Sequence, residues 1–158
     1  MLIAWTIRAA LMLLWLAWWQ EIRGQAPRAK KFYVAGWLVY VAHVAAAFHF
    51  EHHWNHSEAV RHTAEVSLRV TGVAAGFGIY FNHLFTLVWL YVAVSSSTER
   101  LRIRRAAQAY LLFMVVQGAV VFAPPLVAVV AAAMLVALGV DWWRRRGVLS
   151  DGQTMSGP

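Results

Sequence analysis

Residues 106–143 read AAQAYLLFMVVQGAVVFAPPLVAVVAAAMLVALGVDWW, an almost uninterrupted apolar run. A single helix of this length, rising about 1.5 Å per residue, would extend well beyond the ~30 Å hydrocarbon core of a bilayer. Pro124 and Pro125 remove two backbone donors, and they disfavour helix at Ala123. We therefore predict two spans, at about 106–123 and 126–143, joined by a tight turn. One long kinked helix is the alternative.

The whole chain has the composition of a membrane protein. Of its 158 residues, 61% are hydrophobic and 13% are charged, whereas a soluble domain has about 45–50% apolar and ~25% charged residues. Three further apolar segments lie at about 2–20, 32–50 and 72–94, near the ~17–25 residues that a spanning helix needs. We predict an all-α, polytopic membrane bundle of about five transmembrane helices over residues 1–146. A disordered tail is predicted at 147–158.

Positive charge predicts the orientation of this bundle. Most of the 14 Lys and Arg residues form three clusters beside apolar segments, around residues 23–31, 100–105 and 144–146. Five spans place all three clusters on one side, whereas four spans separate the last from the others, and cytoplasmic loops carry the excess of Lys and Arg. We predict a cell-membrane protein with its N-terminus outside and its C-terminus cytoplasmic. Such clusters favour contacts with lipid headgroups and argue against a nucleic-acid partner.

Small residues in the third apolar segment predict close helix packing. Gly72 and Gly76 have the Gly-x-x-x-Gly spacing that lets two helix backbones approach in lipid. We expect them to pack against a neighbouring helix of the same chain. A homo-oligomer or a partner membrane subunit is the alternative.

Histidines concentrate in an outer segment at residues 49–71, where five of the seven histidines lie. If the second helix continues past Phe50, a rotation of ~100° per residue places four imidazoles within one arc of ~100°. The four are His49, His52, His53 and His56. Imidazole is a good ligand for zinc, copper or iron, and side chains three or four residues apart on a helix can share one ion.

A short amphipathic helix is predicted after this cluster. Asn55 can cap its start, with Glu58 three residues later as in a capping box. Glu58, His62 and Glu65 then share one face, so folding this helix over the first cluster would give a mixed imidazole and carboxylate site. The sequence therefore predicts a transition-metal site (Zn, Cu or Fe) that draws on His49, His52, His53, His56, His62, Glu58 and Glu65. A pH-responsive role and an interfacial segment without a ligand are the alternatives.

Two more histidines lie inside the predicted spans. His43 and His83 each lie about twelve residues, or ~18 Å, from the basic end of their span. Rings that share a depth on two helices could ligate a haem through two imidazoles. We favour instead a neutral histidine hydrogen bonded to another helix, for example His83 or Asn82 to Gln117.

Two sequence resemblances involve the histidine segment. His49-Phe50-Glu51-His52-His53 resembles the His-x-x-His-His box of membrane fatty-acid desaturases and hydroxylases, which would imply a di-iron centre with His49, His52 and His53 as ligands. Those enzymes carry further histidine boxes that this chain lacks. Over about residues 40–125 the chain also resembles small histidine-rich polytopic bacterial membrane proteins, a resemblance that implies no established activity. It rests on Phe48-His49-Phe50, Trp54-Asn55-His56, His62-Thr63-Ala64 and Tyr80-Phe81-Asn82.

The sequence leaves the class of function open. With no cysteine, the chain has no disulfide, thiolate metal site or cysteine nucleophile. No hydrolase arrangement surrounds Ser57, and no glycine-rich phosphate loop is present. Metal or metallocofactor binding at the outer face is the prediction. A non-catalytic small subunit of a larger membrane complex is the alternative.

Overall fold

The computed structural model describes residues 2–95 and 101–154, with side chains as far as Arg146. Over these residues the chain is helical and contains no strand, which confirms the all-α class. The helices are α1 (Leu2–Ile22), α2 (Ala26–Phe50), α3 (His56–Thr71), α4 (Gly78–Val94), α5 (Leu101–Val116), which a π-helical turn continues (Gln117–Val121), and α6 (Pro125–Thr154).

The core forms where α1 and α2 pack as an antiparallel pair and α4 packs against α2. Gly36 of α2 makes this approach possible, because a Cβ atom there would lie 2.8 Å from Cζ2 of Trp89 and 3.1 Å from Cβ of Leu13. Trp89 is fully buried, and its indole Nε1 donates to the carbonyl oxygen of Tyr33 at 3.1 Å. Tyr40 stacks on the Trp89 ring at 5.4 Å between centroids. An aromatic cluster therefore fixes α4 against α2.

The helix ends that carry the basic clusters meet at one end of the bundle. Arg104 of α5 donates to the Glu21 carboxylate of α1 at 2.8 Å. Lys30 of α2 reaches the last residue of α4, with 3.4 Å between Nζ and the Val94 oxygen. Asp141 of α6 pairs both with Arg23, at 3.6 Å, and with Arg145 of the third cluster, at 3.2 Å. Members of all three predicted clusters thus share one end, and α3 lies against α4 at the other.

The structure supports part of the predicted set of spans. Three helical segments are long and apolar enough to cross a membrane: Leu2–Ile22, Ala26–Phe50 and Pro125–Arg146. Gly78–Val94 is apolar but shorter. The break at the two prolines is confirmed, because α6 begins at Pro125 after the π-helical turn, and the single kinked helix is wrong. Five transmembrane helices are not confirmed.

Two predicted boundaries differ from the observed helices. The third apolar segment becomes helical at Gly78 instead of residue 72, because Gly72 ends α3 in the left-handed region, at φ 76°. Gly76 does permit a close approach, but of a loop to α3: a Cβ atom there would lie 3.0 Å from the Val60 carbonyl oxygen. The predicted Gly-x-x-x-Gly helix contact is therefore wrong. The backbone of α6 continues to Thr154, across most of the predicted tail, and residues 155–158 lie outside the described residues.

Candidate functional site

The histidine cap, defined here as residues 48–62 together with Tyr80 and His83, closes one end of the bundle. Helix α2 ends at Phe50, so the predicted continuous face of four imidazoles does not form. The chain then turns sharply, with positive φ at His53 (48°) and Trp54 (59°). The Trp54 amide donates back to the Phe48 carbonyl oxygen at 2.8 Å, which closes the turn.

Asn55 starts α3 as predicted. Its side-chain oxygen accepts hydrogen bonds from the amides of Ser57 at 3.0 Å and Glu58 at 3.3 Å. Glu58 does not complete a capping box, because its carboxylate pairs with Arg61, which also bonds Glu65 at 2.8 Å. Arg61 thus holds both carboxylates that the sequence assigns to a mixed metal site.

The first histidine pair joins the turn to α3. The rings of His52 and His62 lie 5.3 Å apart between centroids, at an interplanar angle of 67°. His52 is only 7% exposed, and the Phe48 ring packs edge-on against it at 5.6 Å. Nδ1 of His52 is buried, yet it has no hydrogen-bond partner. Since buried polar atoms are nearly always paired, this nitrogen is an exception that needs an explanation.

A second histidine pair lies on the other side of Phe48. His56, at the start of α3, stacks on His83 of α4 at 5.6 Å, with 26° between the ring planes. Tyr80 packs against both rings, at 5.8 Å from His56 and 6.3 Å from His83. Phe48 lies 6.2 Å from His83. The fold therefore brings four of the predicted residues together as two separate pairs.

The remaining histidines of the segment lie apart from these pairs. His49 accepts a hydrogen bond from the Trp54 indole at 3.2 Å and packs on Phe50. His53 is exposed on the turn. Over the described part of the chain, no three His, Asp or Glu side chains are grouped so as to hold a metal ion. A site with all seven predicted ligands is therefore absent from that part of the structure.

His43 faces a different helix from His83. Its Nδ1 lies 3.0 Å from the Ile3 carbonyl oxygen and 3.2 Å from Oγ1 of Thr6, both in α1. His83 instead contacts the rings of His56 and Phe48. The structure therefore gives no support to a haem held between these two rings. The contacts of His43 instead match the other prediction, a histidine hydrogen bonded to a neighbouring helix, although the example given there was His83.

Burial and charge both act on His52. Removal of the ring from water and the neighbouring His62 lower the pKa of His52 below its ordinary value of 6.5, while Glu51 and Glu58 act in the opposite direction. The net effect favours the neutral ring, which is the form that binds a metal.

A polar network that was not predicted from the sequence lies at the basic end of the bundle. Glu21 accepts hydrogen bonds from Tyr33 at 2.5 Å and Gln108 at 3.2 Å, in addition to its pair with Arg104. Trp18 donates to the Gln108 side chain at 2.7 Å. The sequence feature that could have indicated this network is Gln108, because a polar residue inside an apolar segment needs a hydrogen-bond partner.

No protein-family model, curated protein or solved structure matches this chain. Both sequence resemblances therefore rest on their motifs alone.

Proposed function

We propose that this chain is a multi-pass membrane protein that binds one transition-metal ion, of zinc, copper or iron, between His52 and His62 of the histidine cap. The observation that carries the proposal is the buried Nδ1 of His52, which lacks a hydrogen-bond partner and lies beside a second imidazole. A metal ion would satisfy that buried nitrogen.

The separation of the two rings fits a shared ion. With metal–nitrogen bonds of about 2.0 Å and a ring centroid ~1.1 Å beyond each nitrogen, two imidazoles at a tetrahedral angle have centroids about 5 Å apart. His52 and His62 are 5.3 Å apart. His56 and His83 have a similar separation, but their nearly parallel stacking directs the ring edges past each other. The first pair is therefore the better candidate.

Two protein ligands leave coordination positions open. Structural zinc sites are closed by four protein ligands, whereas sites that act on a substrate keep a position for water. A two-histidine site suits an ion that exchanges or that binds another molecule. Arg61 pairs with Glu58 and Glu65, and the proposed site uses neither carboxylate as a ligand.

We also propose five spans and one orientation for them, on the basis of the helices and their charges. The 17 residues of α4 reach the lower limit of about 17 for a span, and the 21 residues from Leu101 to Val121 would form the fifth span. Because the basic clusters share one end, the positive-inside rule puts that end in the cytoplasm and the histidine cap outside. The proposed ion would therefore be taken from the outer side.

Elemental analysis tests the metal proposal. The full chain is purified from membranes in mild detergent without chelator, and metal is measured by plasma mass spectrometry. We expect about one equivalent in the wild type, and loss of it in the double variant His52→Ala, His62→Ala. The matched control is His53→Ala, because that ring is exposed on the same turn and should leave the content unchanged. Absence of metal above background, or an unchanged content in the double variant, would overturn the proposal.

A non-catalytic subunit of a membrane assembly is the second candidate. It is favoured by α6, which buries fewer residues of its apolar window than α1 or α2 does. Lipid would also cover the exposed apolar residues of α6, so the test is whether a partner protein co-purifies in mild detergent. A stable isolated monomer at native expression level would rule out the subunit proposal.

A further inference from the structure

A cavity of about 430 Å³ lies between α3, α4 and the π-helical turn, within the ~300–1,000 Å³ typical of small-molecule sites. We propose that it binds an uncharged amphiphile with a quinone-like ring, whose carbonyl oxygens accept hydrogen bonds from the amides of Asn82 and Gln117. This proposal goes beyond the metal site and is independent of it, although the His62 ring borders both.

The two amides are the first observation. Asn82 lies in the second turn of α4, and Gln117 opens the π-helical turn; both line the cavity. The sequence predicts that they bond to each other or that one bonds His83. Among the described residues, neither side chain hydrogen bonds to a protein group. Asn82 is exposed and Gln117 is half-buried, so both amides are free to bond to a molecule in the cavity.

The rest of the lining defines the class of ligand. Phe81, Phe113 and Phe122 border the cavity, and no Asp, Glu, Lys or Arg side chain lines it. Aromatic rings pack well against a flat ring, and the absence of charge favours an uncharged molecule. Primary amides donate two N–H groups each, which suits carbonyl acceptors. A membrane-soluble ring with an apolar tail meets these conditions.

The π-helical turn borders the cavity. It is marked by the i to i+5 hydrogen bond from the Phe122 amide to the Gln117 carbonyl oxygen, at 3.0 Å. Turns of this kind occur frequently at functional sites. Gly118 also lines the cavity, and a Cβ atom there would meet nothing within 4 Å. A larger side chain at this position would therefore grow into the ligand's volume without forcing the backbone apart.

Binding is tested with a decyl-substituted 1,4-benzoquinone on the full chain in maltoside detergent, by equilibrium dialysis. Decylbenzene, which has the same tail and no carbonyl oxygens, is the matched control ligand. We expect the quinone to bind at least tenfold more tightly than decylbenzene, since two added hydrogen bonds contribute roughly that much. The double variant Asn82→Leu, Gln117→Leu should abolish the difference, and Gly118→Leu should prevent binding of both.

Three outcomes would overturn the inference: no quinone binding, equal binding of both ligands, or unchanged binding in Gly118→Leu. Thermal unfolding of each variant shows whether the fold is retained. The His52→Ala variant separates this inference from the proposed metal site, because it should lose metal and keep the quinone.

Discussion

Gly36→Ala tests the packing of α1, α2 and α4 directly. The added Cβ atom would lie 2.8 Å from Trp89, whose ring is fully buried and hydrogen bonded and so cannot move aside. Overpacking of this kind costs up to about 3 kcal/mol, and the gain from replacing glycine in a helix offsets about 1 kcal/mol. We expect a net loss of about 2 kcal/mol. For a chain of this size that lowers Tm by about 4–8 °C, measured by circular dichroism in detergent.

Gly139→Ala is the matched control, because it also lies in an apolar helix but its added Cβ atom would meet nothing within 4 Å. Without a clash, only the helix propensity changes, and we expect a gain of about 0.5–1 kcal/mol. Equal or higher stability of Gly36→Ala relative to Gly139→Ala would refute the described contact between α2 and α4.

Three further predictions concern the two ends of the bundle. Tyr33→Phe removes a buried hydrogen bond to the Glu21 carboxylate and should cost about 1.5–3 kcal/mol in thermal unfolding, whereas Tyr80→Phe, at an exposed tyrosine, should cost little. In metal-free protein, the lowered pKa of His52 means that the unfolded state binds a proton first as pH falls below about 6.5. The free energy of unfolding should therefore decrease as the pH falls from about 6.5 to the pKa of His52 in the folded state. The decrease should be less steep in His52→Gln, and parallel pH profiles of the wild type and this variant would contradict the prediction. The cysteine-free chain allows single-cysteine labelling: an impermeant maleimide should label His53→Cys in intact cells and Gln25→Cys only after permeabilisation. The reverse pattern would invert the proposed orientation.

Helical class and the principal break were predictable from sequence, because both depend on local physics. The apolar run at residues 106–143 exceeds one span, and Pro125 cannot continue a helix from the turn before it. The start of α4 was not predictable from hydropathy, since residues 72–77 are as apolar as a helix would require. Gly72 adopts a positive φ to end α3, which hydropathy does not encode.

The histidine cap was only partly predictable. The density of histidines along the chain identified the right segment, and Asn55 correctly identified the start of α3. Which imidazoles meet depends on the turn at His53 and Trp54, and on α4, which contributes His83 to the cap. Periodicity on a single helix could not reveal a pairing made between elements. Arg61 lies three residues after Glu58 and four before Glu65, and in the structure it pairs with both carboxylates.

The most direct test of the account is X-ray absorption at the K edge of whichever metal co-purifies with the full chain. The scattering pattern of imidazole rings counts the histidine ligands. The proposed site predicts two imidazoles per ion at about 2.0 Å, completed by oxygen donors, and loss of both in the His52→Ala, His62→Ala variant. An ion with no imidazole ligand, or one with two that persist in that variant, would contradict a metal site between these two rings.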